Sequence, residues 1–303
     1  MAFRVILIEN EVSINIKLNN LVIHRGAEEM WVPVDDISMI VIDNLKVNIT
    51  TRMLCLLAMH NVGVILCNQE HLPIGFYSSY DNYSRISKSI GFQIEKTEEF
   101  YDKLWRQIVQ AKLENQAQTL QRMQKRKEII DGVRKFKEEV TDGDKTNREA
   151  HGAKIYFNEL MGTTFSRGNE DILMNSGLNY GYTILRSYIA RVCVGYGLNT
   201  QIGIHHRNEY NRFNLVDDLI EPVRPIVDSY VYELMEGEEY FKPEHRRKLV
   251  NMLNHRIRYN KKSMFLCNML EEYIETVAAY FAGKDVNIEF PYVDNYIGEE
   301  DEV

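Results

Sequence analysis

Three stretches carry residues able to do metal chemistry. Asn147-Arg148-Glu149 leads into an apolar run that ends at Tyr156-Phe157. Gly203-Ile204-His205-His206 carries paired imidazoles, and Asp217-Asp218 is followed by Glu221-Pro222 and Arg224-Pro225. Carboxylate oxygens together with an imidazole nitrogen form the donor set that a divalent ion, Mg2+ or Mn2+, takes in phosphate chemistry.

Each stretch also has a plainer reading. Thr146 and Glu149 have the three-residue spacing of a helix capping box. Glu149, Ala153, Phe157 and Leu160 also share one helical stripe, flanked by Tyr156, which turns the carboxylate inward, where it needs a cation. Cap and ligand both stay open on residue physics alone. A lone histidine is more often structural than a ligand. Asp217 and Asp218 stand four and three residues before Glu221. The three share a face if the segment is helical, either as ligands or as acids at a helix N-terminus. Pro222 requires that helix to begin or kink there.

The elements around these residues divide the chain. Residues 1–77 read as a β-rich domain that serves as a scaffold or dimerisation face. Ser13–Leu18 alternates polar and apolar, Asn19-Asn20 turns, and Leu21–His24 returns. Glu29–Val34 is a strand whose Pro33 marks an edge. Ile37–Ile42 and Val62–Cys67 are apolar enough to be central, and Thr50 or Thr51 caps a short helix between them. Residues 78–99 are polar with scattered Tyr, Arg and Lys. They read as a linker, either plain or able to stack on nucleic acid. Helical periodicity fills 100–290, with a core helix over about 172–194. Residues 291–303 form an acidic tail. The fold class is therefore α+β, a small β-rich N-terminal domain before a larger all-helical one.

The net charge of −8 is unevenly spread. Basic runs occur at Arg122–Lys127, Arg134–Lys137 and Arg246–Lys262, and a phosphate backbone responds to local patches rather than to the sum. Arg148, Lys154, Arg167, Arg186, Arg224, Arg256, Arg258, Lys261 and Lys262 are the candidate DNA contacts, with a solvated face as the alternative. The four cysteines (Cys55, Cys67, Cys193, Cys267) lie far apart in apolar runs, as expected of buried thiols in a reducing cytoplasm. No stretch has the length of a membrane span.

Taken in order, these motifs resemble the CRISPR adaptation integrase family, Cas1. The likeness rests on Arg148-Glu149 with Ala153 and Tyr156-Phe157. It continues through Met174-Asn175 with Leu178-Asn179-Tyr180 and Tyr182, and through Gly203 with His206. It ends on Asp218, Glu221-Pro222, Arg224-Pro225 and Asp228. It spans essentially the whole chain, and Asn147-Arg148-Glu149 and Phe165-Ser166-Arg167 resemble the type II-A branch. The resemblance implies a metal-dependent integrase and endonuclease in which Glu149, His206 and Glu221 are the catalytic metal ligands, with Asp218 supporting. The doubled histidine departs from the family pattern and keeps His205 in play. The implied reaction is attack of a protospacer 3′-OH on a phosphodiester at the edge of a CRISPR repeat beside its leader. The implied partners are double-stranded DNA, a Cas2 dimer bridging two homodimers of this chain, and in the type II-A setting Cas9 and Csn2. A non-catalytic DNA-binding adaptor and a metal-dependent phosphodiesterase acting on another nucleic acid are the alternatives.

Overall fold

The computed structural model describes residues 4–80, 83–169 and 172–299. The acidic run Gly298–Glu302 lies largely outside them.

Alternation builds the first third of the chain. Strands β1 (Arg4–Ile8), β2 (Ser13–Lys17), β3 (Asn20–Arg25), β4 (Glu28–Pro33), β5 (Ile37–Ile42) and β6 (Asn48–Ile49) precede helix α1 (Thr51–Met59) and strands β7 (Gly63–Cys67) and β8 (Pro73–Tyr77). They form two four-stranded sheets, ordered β4-β3-β2-β6 and β1-β5-β7-β8. Pro33 ends edge strand β4, where its missing N–H costs no ladder bond. The β2–β3 turn falls one residue earlier than expected, on Leu18 and Asn19, both at positive φ (50° and 62°). Two such residues suit a tight hairpin. Thr50 caps α1 by accepting the Met53 N–H at 3.2 Å.

Strand β5 is buried along its whole length because its two faces serve two cores. Ile37, Ile40 and Ile42 join the core shared with β2, β3 and α1. Met39 and Val41 join the helical core. That double burial is why the strand reads as a continuous apolar run.

Beyond residue 77 the chain is mostly helical. Helix α2 (Ile86–Ile94) lies within the segment expected to be a linker, and Gln93 ties it to Asn199 through two hydrogen bonds (2.8 and 3.2 Å). There follow α3 (Glu98–Arg122), α4 (Lys127–Glu139), α5 (Arg148–Met161), α6 (Leu173–Gly195), α7 (Asn214–Leu219), α8 (Arg224–Met235) and α9 (Pro243–Asn251). The basic stretch at Arg256 departs from the all-helical expectation. Strands β9 (Arg256–Tyr259) and β10 (Lys262–Phe265) form a hairpin, then comes α10 (Leu266–Phe281), and β11 (Tyr296–Gly298) pairs back onto β9. Arg256-Ile257-Arg258-Tyr259 alternates a more accessible cation and a buried residue, a period-two signal spread over only four positions.

Helix α3 is the axis of this part. Tyr101, Trp105, Ile108, Lys112, Asn115 and Thr119 are all buried along one of its stripes. Helix α5 packs tightly against it at Gly152, where a Cβ would come within 2.2 Å of Leu113 Cδ2. Asn115 donates to the carbonyls of Pro222 and Pro291, both at 2.7 Å, so one side chain ties the Glu221 turn to the C-terminal segment.

Candidate metal centre

Glu149 does not cap its helix. Asp144 does so, its carboxylate accepting the N–H groups of Arg148 and Glu149, both at 2.9 Å. Asn147 precedes the helix in the left-handed region without a side-chain cap bond. With the helix end satisfied from upstream, the Glu149 carboxylate is directed onto the Lys112 ammonium. The inward stripe of α5 runs through Gly152, Tyr156 and Leu160, one position round from the stripe expected on Ala153 and Phe157.

Glu221 sits in the turn between α7 and α8, because helix α7 stops at Leu219 and Pro225 opens the next helix. Its carboxylate is 5% exposed. Oε1 faces Arg224 Nε at 3.4 Å, and Oε2 faces Lys112. The buried Oε2 lies in direct contact with the Lys112 ammonium. Burial opposes the charge on Glu221, but Arg224 and Lys112 more than offset it, and the carboxyl titrates below its ordinary range. Burial likewise opposes the Lys112 charge, and Glu221 and Glu149 reverse the effect, holding the amine protonated.

The acids expected on one face diverge. Asp217 turns to Arg186 (2.8 Å) and Asn211 (2.7 Å). Asp218, fully buried, gathers the histidine loop: it accepts the N–H groups of Ile204 (2.6 Å), His205 (3.0 Å) and His206 (3.2 Å). It also holds His206 Nδ1 at 2.6 Å. The loop can close this tightly only at Gly203, where a Cβ would stand 2.1 Å from the His206 carbonyl oxygen. The bond from Asp218 raises the His206 pKa despite partial burial. With Nδ1 held, Nε2 is the ring nitrogen left unengaged, an arrangement that metal-binding histidines share. His205 instead stacks flat on Trp105, ring centroids 4.4 Å apart and planes 3° apart.

Two carboxylates and an imidazole are therefore assembled against one stripe of α3, and their donor chemistry suits Mg2+ or Mn2+. Among the described residues, no three His, Cys, Asp or Glu side chains converge tightly enough to enclose an ion, and the Lys112 ammonium stands between the two carboxylates. Lys112 is the site residue that sequence reasoning missed. Its stripe carries no other charge, but a single lysine in a charged helix gives no local sign that it is buried.

Behind this set, Asp228 accepts from Tyr156 (3.0 Å) and from Tyr182. Arg224 and Arg167 lie over the Tyr182 ring at 5.0 and 5.3 Å.

The candidate DNA contacts separate into groups. Arg148 pairs with Glu139 (3.1 Å), Arg186 with Asp217, and Arg167 with Asn175 and Asn179. Arg256 lies over Phe265. Lys154, Arg258, Lys261 and Lys262 are exposed. The basic run near residues 122–137 is spent largely on internal partners: Arg126 on Glu159, Lys137 on Glu114, Lys125 on Tyr232 and Arg122 on the Tyr296 carbonyl. Cys67, Cys193 and Cys267 are buried as expected, but Cys55 is exposed on α1. No helix among the described residues is long and apolar enough to cross a membrane.

A family model described as CRISPR associated protein Cas1 matches residues 5–266. A protein of Neisseria meningitidis serogroup C (strain 8013), named CRISPR-associated endonuclease Cas1, is 32% identical over 292 residues, covering 94% of each chain. A Francisella tularensis subsp. novicida (strain U112) protein, CRISPR-associated endonuclease Cas1 1, is 28% identical over 204 residues, 58% of this chain and 64% of its own. Among solved structures, a casposase bound to integration product superposes with a TM-score of 0.76 at 20% identity, covering 99% of this chain and 96% of that one. A Cas6-RT-Cas1–Cas2 complex gives 0.73 at 18% identity, covering 95% of this chain and 36% of that one. At these identities the two structures speak for a shared fold.

Proposed function

The chain belongs to the Cas1 family, and from that premise we propose that it is a metal-dependent DNA integrase and endonuclease of CRISPR adaptation. The observation that carries this reading is that Glu149 and Glu221 meet at Lys112 of α3 while the His206 ring, its Nε2 unengaged, stands 6.0 Å from Trp105 on the same stripe. Support for DNA as substrate and Cas2 as partner comes from relatives named endonuclease, from a casposase bound to integration product and from a complex containing Cas1 and Cas2.

In this reading a protospacer 3′-OH attacks a phosphodiester at the repeat edge. The new 3′-oxygen–phosphorus bond forms as the repeat strand's own breaks, leaving a free hydroxyl on the departing end. Water in place of the 3′-OH gives strand cleavage. Glu149, His206 and Glu221 would hold one divalent ion, Mg2+ or Mn2+, which would supply Lewis-acid polarisation of the phosphoryl group and ease loss of the hydroxyl proton. Asp218 fixes the imidazole rotamer through Nδ1, so Nε2 is the nitrogen turned to the site. Arg224 balances the Glu221 charge from a fixed seat on Tyr182. No side-chain nucleophile is required. The assembly is two homodimers bridged by a Cas2 dimer, in the cytoplasm, with Cas9 and Csn2 as type II-A companions.

The test is joining of a labelled duplex into a repeat-bearing plasmid, with and without Cas2 and with Mg2+ or Mn2+ supplied or chelated. Glu149→Ala, His206→Ala and Glu221→Gln are each expected to reduce joining by roughly a thousandfold, about 4 kcal/mol of transition-state stabilisation. Joining that survives all three removes the site. Binding of duplex without any joining or cleavage points to a DNA-binding adaptor, and metal-dependent cleavage of RNA alone to a phosphodiesterase of another kind.

A further inference from the structure

We propose that Lys112 is a resident counter-cation that keeps the two carboxylates of the centre in place and must withdraw before a divalent ion binds; this inference rests on the site reading above. The Lys112 side chain is 7% exposed and touches Glu149 Oε1 and Glu221 Oε2. It therefore faces an oxygen of each carboxylate proposed to take the ion. Two carboxylates that share one ammonium, Glu221 buried and Glu149 about a quarter exposed, repel each other unless a cation lies between them. Arg224 supplies only part of that charge, since it reaches Glu221 alone and is seated over the Tyr182 ring.

Ion and ammonium compete for the same space. Mg2+ binds oxygen at about 2.0–2.1 Å in near-octahedral geometry, whereas an ammonium needs about 2.7–2.9 Å to each carboxylate. A divalent charge added beside Lys112 and Arg224 would also overcompensate the two carboxylates. The lysine is the group able to leave, being a point charge on a flexible four-carbon stem. Metal loading is then an exchange, and the apparent affinity is lowered by the small fraction of molecules in which Lys112 has swung away.

The experiment is Mn2+ titration by calorimetry and by electron paramagnetic resonance of the full chain, with thermal melts in chelator and in Mn2+. Lys112→Met should bind Mn2+ about tenfold more tightly or better, as expected if Lys112 is swung away in about a tenth of molecules or fewer. Its metal-free Tm should fall, and its Mn2+-induced rise in Tm should exceed that of the natural protein. A merely structural lysine would give the opposite sign, with weaker binding on removal. Unchanged or weakened Mn2+ affinity in Lys112→Met overturns the proposal. If that variant folds only with Mn2+, or folds metal-free once Glu149→Gln is added, the counter-cation role is supported. Failure to fold under both conditions overturns it. The triple variant Lys112→Met, Glu149→Gln, Glu221→Gln separates the two claims: if it binds Mn2+ as tightly as Lys112→Met, the site assignment itself fails.

Discussion

Asp43 and Glu221 are buried to nearly the same degree, 3% and 5% exposed, and each faces two basic side chains, yet the two clusters are finished differently. At Asp43, on the C-terminal end of β5, both oxygens receive a directed bond: Arg246 Nε at 3.2 Å and His71 Nδ1 at 2.9 Å. Arg246 comes from α9, 203 residues away, so the cluster ties the β-rich part to the helical part. At Glu221 the contacts are charge pairs, Lys112 against one oxygen and Arg224 Nε 3.4 Å from the other, and the neighbouring His206 keeps a ring nitrogen free. A satisfied carboxylate holds a structure together. One held by a displaceable ammonium, beside a second carboxylate and an oriented imidazole, can exchange that partner for a ligand.

The sharpest way to break this contrast is to remove each acid and read stability and joining together. Glu221→Gln should lose joining by the roughly thousandfold given above, with a smaller fall in stability than Asp43 shows. Asp43→Ala strands Arg246, which is 6% exposed, and should destabilise by about 3–5 kcal/mol, seen as a lower urea midpoint, while the folded protein joins DNA at close to its natural rate. If Asp43→Ala abolishes joining at temperatures where it is fully folded, the distinction between weld and site collapses.

How far the sequence reached also follows from where charges end up. Strand alternation and the stripe of α6 were legible because burial repeats with the period of the element. Pro33 was legible as an edge for the same local reason. Lys112 was not, since a lysine in a charged helix reads as a solvated face until its partners, 37 and 109 residues away, are known. The cap-or-ligand choice at Glu149 was undecidable locally because the true cap, Asp144, reaches the helix through two residues at positive φ. The shared face expected of Asp217, Asp218 and Glu221 failed because α7 ends two residues before Glu221. For the basic run at Arg122–Lys137 the choice between a nucleic-acid face and a solvated one was not legible, because its partners on α3, α5, α8 and β11 are distant in sequence.

Asp228 lies between the two extremes, fully buried with two tyrosine hydroxyls donating to it and no directly paired cation. Burial raises its carboxyl to about 6, against the lowering effect of Tyr182 and Tyr156. The folded chain thus holds this proton more tightly than the unfolded chain, whose aspartate titrates near 3.9. The sign follows: the contribution is full below about pH 4 and is lost as pH rises through about 6, a decline of up to ~3 kcal/mol. Urea midpoints of the natural protein and Asp228→Asn across pH 4.5–7 should diverge, the natural protein losing ground to the variant as pH increases. A difference that stays flat with pH would place Asp228 with the ordinary carboxylates.

The two adjacent histidines provide the finest division between structure and site. His205 stacks on Trp105 and its backbone N–H is held by Asp218, whereas its neighbour's ring is the one gripped at Nδ1. Removing the His205 ring forfeits an aromatic pair of about 0.5–1.5 kcal/mol and leaves the Asp218 bonds to the loop intact. His205→Ala should therefore lower Tm by a few degrees and leave Mn2+ affinity unchanged, and His205→Phe should recover the stability because it restores the stack without a ring nitrogen. His206→Ala should weaken Mn2+ binding at nearly constant Tm. If His205→Phe loses joining as completely as His206→Ala, the ligand is His205, and the flat stack on Trp105 is then the means by which α3 aims it.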